Sequence, residues 1–276
     1  MNQKTLKKTY CFEGKGLHTG TYSHMKVLPA PAGSGICFIR TDLENRPVVE
    51  ALAENVSKTA RSTTVSKGPA EAVTIEHIMS ALTGLGVDNA CIELDNLEVP
   101  ILDGSARPYV EAFLADGLEG QDAPRQYISL PLALEIRDPK TGSWVKIEPA
   151  DAPSAHITVD FNSPVLGIQE ASWTETTDYA REIAPCRTFC FYREIEPMLK
   201  GGLIKGGDLS NALVVTDTGY MDNPQLYFKD ECGRHKLLDL LGDLRLCGGF
   251  LNARISAYKP GHSINTKAAK ALRALL

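Results

Sequence analysis

TIEHIMSALTGLGVDNACIELD, residues 74–95, reads as a helix, a glycine stop and a strand, and the same order returns in RHKLLDLLGDLRLCGGFLNARISAY, residues 234–258. In the first stretch Ile75, Ile78, Met79, Leu82 and Leu85 fall at i, i+3, i+4, i+7 and i+10, the spacing of one buried stripe, with Thr74 placed to cap it. Residues 89–94 then alternate as a half-buried strand, 103–105 make a turn, and a short helix runs through Tyr109, Val110, Phe113 and Leu114. In the second stretch a helix from residue 234 to about 246 stops at Gly248 and Gly249. A strand over 250–258, a turn at 259–261 and a closing helix over 268–276 follow. The turn glycine lies 27 residues beyond His77 (Gly104) and 26 beyond His235 (Gly261). This order predicts two similar α+β domains, through an ancient duplication or because helix, strand, turn and helix is a common succession.

The flanking segments fit that frame. Before residue 70 the chain reads as short strands broken by turns at 29–33 and 66–69, and strands resume over 127–136, 144–147 and 156–161. GLEGQDAPR, residues 117–125, is polar and carries Gly and Pro, so it reads as a linker between domains over 1–120 and 126–276. With 43% apolar and 23% charged residues in 276, the chain has the balance of a globular protein that buries a substantial core. A net charge of −5 provides no footprint for nucleic acid or an anionic membrane. No apolar run approaches the ~20 residues that span a bilayer, and the opening MNQKTLKKTYCF lacks a secretory h-region, so a cytoplasmic location is expected. The seven scattered cysteines form no CxxC pair and read as reduced thiols, mostly packed.

The six histidines are few enough to weigh singly. At 100° per residue from His235, the leucines at 237, 238, 240, 241 and 244 cluster around about 140–300°, while His235, Asp239 and Asp243 lie at about 0°, 40° and 80°. A His and a carboxylate at i, i+4 can hold one metal ion from a single helix face. For this helix alone an exposed His/Asp pair, worth a few tenths of a kcal/mol, is the plainer reading, since such pairs are common. On the first helix Glu76 and His77 both lie off the apolar stripe within one turn of the N-terminus, where an imidazole suits a metal and the adjacent carboxylate suits general-base work on a metal-bound water. A surface histidine beside an acid favoured by the helix dipole is the plain alternative. That both helices carry such residues at equivalent places favours a shared site.

Several strings carry a more specific signal: residues 74–95 above, VPILDGSARPYV (99–110), RTFCF (187–191), RHKLLDLLGDL (234–244), YKPGHSIN (258–265) and the opening GKGLHTG (14–20). Together and in this order, over essentially the whole chain, they resemble the bacterial UDP-3-O-acyl-N-acetylglucosamine deacetylases. The resemblance implies a zinc-dependent amide hydrolase of lipid A synthesis that removes acetate from an acylated UDP-sugar. It implies two similar β-α-α-β sandwich domains packed helix to helix, with the active site at their junction. The implied zinc ligands are His77, His235 and Asp239, which leave a fourth position for water. Glu76 corresponds to the general base and His262 to the histidine that protonates the leaving amine or steadies the oxyanion. Thr188 matches the hydroxyl that assists in oxyanion stabilisation, and Asp243 the acid that orients His262 and keeps it protonated.

By the same resemblance Lys236 contacts the nucleotide diphosphate, Phe189 and Phe191 border the sugar, and an insert over 192–211, with Leu203 on its wall, forms a passage for the acyl chain. Read without the resemblance, these are a solvated lysine, core aromatics, a packing hairpin, a turn histidine and a backbone-bonded threonine. His18 is expected to have a turn role, and His24 and His156 to be ordinary strand residues. The chain stops fourteen residues after His262, early for the family and compatible with fusion to a fatty-acyl dehydratase beyond residue 276. Two competing readings remain. One is a zinc amidohydrolase or deaminase with another substrate, because ligands and base do not identify what is bound. The other is a metal-stabilised module that binds an acyl nucleotide without turning it over, which would have no need of Glu76 and His262.

Overall fold

The computed structural model describes residues 1–275. In the first half the strands are β1 (Asn2–Leu6), β2 (Tyr10–Lys15), β3 (Tyr22–Pro29), β4 (Ile36–Arg40), β5 (Val48–Glu50), β6 (Val56–Lys58), β7 (Thr64–Lys67), β8 (Ala70–Val73), β9 (Ala90–Leu94) and β10 (Leu118–Pro124). Helices α1 (Glu76–Gly84) and α2 (Arg107–Asp116) complete it. The second half contains β11 (Tyr127–Ser129), β12 (Leu134–Arg137), β13 (Trp144–Pro149), β14 (Ser154–Asp160), β15 (Ile168–Thr174), β16 (Phe189–Phe191), β17 (Leu213–Val215) and β18 (Phe250–Tyr258). Its helices are α3 (Tyr179–Glu182), α4 (Tyr192–Lys200), α5 (Glu231–Leu244) and α6 (His262–Arg273).

The two principal sheets repeat one topology. The first runs β2-β3-β9-β4-β5, and the main path of the second runs β12-β13-β18-β14-β15. In each, the strand that follows the buried helix inserts antiparallel to the hairpin strand (β9 on β3, β18 on β13) and parallel to the next (β9 on β4, β18 on β14). The repeated order of elements in the sequence is thus a repeated fold, mixed α and β throughout. One hydrophobic core runs through both halves, from Leu6 and Phe38 to Leu240 and Leu272.

The helices α1 and α5 face each other inside that core. A Cβ built on Gly242 would lie 2.2 Å from the Glu76 carbonyl oxygen and 3.0 Å from the Ser80 nitrogen, so only glycine lets α5 come this close to α1. Gly242→Ala is therefore expected to destabilise the protein by about 3 kcal/mol, because backbone rather than a flexible side chain must give way. A lowered urea midpoint at unchanged slope checks it.

Four local expectations are corrected. Thr74 does not cap α1: its backbone is left-handed (φ 59°), and its hydroxyl donates to Glu98 Oε1 at 2.7 Å instead. The stretch 117–125 is not a free linker, since β10 pairs antiparallel with β1 and completes an otherwise unpaired edge. Its polar composition reflects a strand that is largely exposed. The strand expected over 127–136 is two strands parted around Pro131. The closing helix begins at His262, so that residue opens α6 rather than ending a turn. Among the described residues no helix is long and apolar enough to cross a membrane.

Candidate active site

The polar stripe of α5 faces inward. His235, Asp239 and Asp243 are each 1% exposed, which removes the reading of a solvated ion pair. Glu76 and His77, the first two residues of α1, are buried opposite them. One ligand atom from each of His77, His235 and Asp239 lies within 4.8 Å of the other two. The two imidazoles stand nearly perpendicular, 5.0 Å between centroids. His235 Nδ1 lies 3.0 Å from the Cys186 carbonyl oxygen, so it carries the hydrogen and leaves the lone pair on Nε2, 3.4 Å from Asp239 Oδ1.

Three observations fit this trio to a cation. Asp239 Oδ1 is buried without a hydrogen-bond partner, an expensive arrangement for a carboxylate oxygen. Burial, with the neighbouring His235 adding to it, lowers His77 to about 3, and burial likewise lowers His235, so both imidazoles are neutral and free to ligate at neutral pH. Burial alone would push the Asp239 carboxyl up, but His235, Lys236, His262 and His77 facing it hold it far below the usual carboxylate range. Two imidazole nitrogens and one carboxylate oxygen form the donor set of a catalytic rather than a closed structural site.

A carboxylate and an imidazole face each other beside it. Glu76 Oε1 lies 3.9 Å from His262 Nε2, and Glu76 Oε2 accepts the Thr63 N–H at 3.0 Å. On its other side the His262 ring bonds through Nδ1 to Asp243 Oδ2 at 3.0 Å. Asp243 is fixed in turn by the Thr63 hydroxyl (2.6 Å) and the Asn265 amide (2.9 Å). Burial raises Glu76 to about 7 against the opposing pull of His262, with Asp243 and Asp239 adding to the rise. His262 loses from burial but gains more from Asp243 and Glu76, and stands at about 9. A carboxylate pushed up and an imidazole pushed up beside it give a base and an acid that coexist near neutral pH.

Glu76, His77, His235, Asp239 and His262 line a cavity of about 470 Å³ together with Lys236, Phe189, Phe191 and Thr188. The Lys236 ammonium sits 2.7 Å from Asp239 Oδ2 and 5.5 Å from the centre of the Phe189 ring. Thr188 is tied by its backbone to Gly104 O and Leu213 N, which leaves its side chain on the wall. Gly104 (φ 81°) is required there, because a Cβ would lie 1.9 Å from the Asn211 carbonyl oxygen. A second cavity of about 260 Å³ adjoins the first through Leu17, Arg61, Thr188, Phe189 and Cys190, and Ile195, Met198, Leu199 and Ile204 supply apolar wall. Leu203, expected on this wall, is not among its lining residues. The left-handed backbone at Ile204 (φ 50°) turns consecutive side chains apart, and Ile204 takes the place. His18 also lines this cavity, buried, with its backbone N–H on Glu98 Oε1 at 2.9 Å. His24 and His156 lie on β3 and β14 as expected.

Residues 3–274 match the family profile described as LpxC, UDP-3-O-acyl N-acetylglycosamine deacetylase. The chain belongs to this family. Similar members include the UDP-3-O-acyl-N-acetylglucosamine deacetylases of Trichormus variabilis (42% identical, over 100% of this chain and 99% of the relative) and Pseudomonas entomophila (41%, 97% and 88%). A bifunctional enzyme LpxC/FabZ of Porphyromonas gingivalis is 44% identical over 98% of this chain, and the chain spans 64% of that relative's length.

Within this deacetylase fold, sequence reasoning missed Thr63 and Asn265. Thr63 holds Glu76 through its N–H and Asp243 through its hydroxyl, and so fixes Glu76 relative to the carboxylate that bonds His262. Its place in a run of small polar residues gave no periodic signal. The Cys186 carbonyl that fixes the His235 tautomer is backbone and leaves no trace in residue type.

Asp243→Asn tests the electrostatics. Activity that needs Glu76 ionised and His262 protonated rises through the lower limb and falls through the upper one, which belongs to the raised His262. Removing the Asp243 charge lowers both groups, since it raises Glu76 as a like charge and His262 as an opposite one. The whole bell of kcat/KM against pH is expected to move to lower pH in Asp243→Asn.

Proposed function

We propose that this chain hydrolyses the acetamide of UDP-3-O-acyl-N-acetylglucosamine, giving UDP-3-O-acyl-glucosamine and acetate in the lipid A pathway, with zinc held by His77, His235 and Asp239. The reading rests on one observation above all: the buried Glu76–His262 pair, 3.9 Å apart, beside a three-residue ligand set with an unpartnered carboxylate oxygen. A module that only binds would gain nothing from burying that pair, and desolvating it costs stability.

Zinc in this donor set supplies Lewis acidity, which polarises an amide carbonyl and makes water more acidic. Glu76 takes the proton of the attacking water, its carboxylate fixed by the Thr63 N–H. His262 delivers a proton to the departing nitrogen, so the amine leaves neutral rather than as an anion. Asp243 orients the ring through Nδ1 and favours its protonated form. The Thr188 hydroxyl, on the cavity wall, stabilises the oxyanion. Phe189 and Phe191 border the sugar and Lys236 supplies positive charge toward the diphosphate, while the apolar cavity behind α4 receives the acyl chain. The domains on this reading are residues 1–120 and 126–276, joined across β10, with the site where α1 meets α5 and the acyl passage in the insert 192–211.

Acetate release from the acylated UDP-sugar, measured with and without a chelator, tests the proposal. Release that the chelator stops and zinc restores is expected, with kcat lowered about 10²-fold or more in Glu76→Gln and in His262→Ala. Binding of the acyl nucleotide without acetate release would replace the enzyme by a binding module.

A further inference from the structure

Cys37 and Cys91 are 54 residues apart in the chain, yet their sulfurs lie 3.7 Å from each other. They occupy paired register positions on the adjacent parallel strands β4 and β9. Ile36 and Phe38 on one strand, and Ala90 and Ile92 on the other, point into the core, so both thiols stand on the opposite face of the sheet, half-buried and free. None of the other five cysteines makes a sulfur–sulfur contact among the described residues, and three of them are buried. The pair lies outside the catalytic cavity and has no part in the chemistry above.

The geometry is that of a dithiol ready to close. Adjacent strands lie about 4.8 Å apart, within the Cα separation of roughly 4.4–6.8 Å that a disulfide spans. Bringing the sulfurs from contact to bonding distance needs a movement of under ~2 Å, within reach of side-chain rotation. Contact with the second sulfur holds the Cys37 thiol below its ordinary range, while the same contact and burial push Cys91 above it. The thiol that loses its proton more readily and the thiol in contact with it are the attacking and resolving partners of thiol–disulfide exchange.

We propose that Cys37 and Cys91 form an oxidisable site that a small-molecule disulfide of the glutathione class converts to an internal cross-strand disulfide. The Cys37 thiolate attacks one sulfur of oxidised glutathione, breaking its S–S bond and releasing one glutathione thiolate. Cys91 loses its proton to solvent and attacks the Cys37 sulfur of the mixed disulfide, releasing the second glutathione. Two protein thiols give up two electrons and two protons, and one oxidised glutathione becomes two reduced molecules. A parallel-strand bridge is constrained by the sheet on both sides, so it is a reducible modification rather than a permanent staple.

The test incubates the full chain with excess oxidised glutathione, alkylates the remaining thiols and maps the digest by mass. A peptide pair joined through Cys37 and Cys91, with neither residue alkylated and both restored by dithiothreitol, is expected. In Cys91→Ser the reaction stops earlier, and glutathione accumulates on Cys37. A wild-type map in which both cysteines stay alkylated, or each carries its own glutathione without a joined pair, overturns the proposal whatever the variant does.

Discussion

A long-acyl UDP-N-acetylglucosamine is expected to exceed the unacylated sugar in kcat/KM by several orders of magnitude, because each chain methylene buried behind α4 contributes up to ~0.8 kcal/mol, offset in part by ordering the chain. The cavity proposed to receive it, about 260 Å³, is walled by Ile195, Met198, Leu199 and Ile204. Two of its lining residues, Leu199 and Leu209, are half exposed. Ile204→Asp should erode the preference, since it sets an unpaired charge on the wall. Leu203→Asp should do so far less, because that side chain does not line the cavity. Activity on the unacylated sugar, weak at the outset, should scarcely change in either variant, as Glu76, His262 and the ligand set are untouched. Equal efficiency of the wild type on both substrates would remove the passage from the account and reopen the choice of substrate.

Replacing any one of His77, His235 and Asp239 by Ala is expected to abolish activity and reduce bound metal from about one ion per chain to a trace. The reason is geometric. The three proposed ligands come from two helices packed face to face, and a third donor is not readily borrowed, because the adjacent carboxylate of Glu76 is held by Thr63 and faces His262. Asp239→Ala should have a second effect. It takes away the carboxylate that Lys236 Nζ contacts at 2.7 Å, so a partly buried lysine loses its partner and folding stability falls as well. His77→Ala lacks this added cost and separates metal binding from folding. Metal analysis of the folded variants, with urea unfolding alongside, checks both statements. Full zinc occupancy in all three would dismiss the ligand assignment.

A good part of this architecture is legible in residue order. The apolar period at 75–85, the leucine stripe at 237–244 and the alternation at 89–94 and 250–258 each depend on local geometry, in which a 3.6-residue or a two-residue period must expose one face. That is why helices, strands and the doubling of the unit could be read directly, along with the candidacy of His77, His235 and Asp239. Failures fell where a local signal had a distant partner. Thr74 looks like a cap until Glu98 claims its hydroxyl. Residues 117–125 look like a linker until β1 offers an open edge.

Tertiary structure decided the rest, for one physical reason: charge and chemistry at a site depend on what faces a group, and the facing residues are remote in sequence. His235, Asp239 and Asp243 form the same stripe whether α5 meets water or α1, and only the close approach through Gly242 buries them against Glu76. That burial raises the Glu76 carboxyl to about 7, while the facing Asp243 and Glu76 outweigh burial and raise His262. The choice of Ile204 over Leu203 follows from one left-handed backbone angle, and the meeting of Cys37 with Cys91 from the insertion of β9 beside β4. The sequence determined by itself which elements form and which residue types are available for chemistry. Desolvation and contact across the fold determined which of them act together.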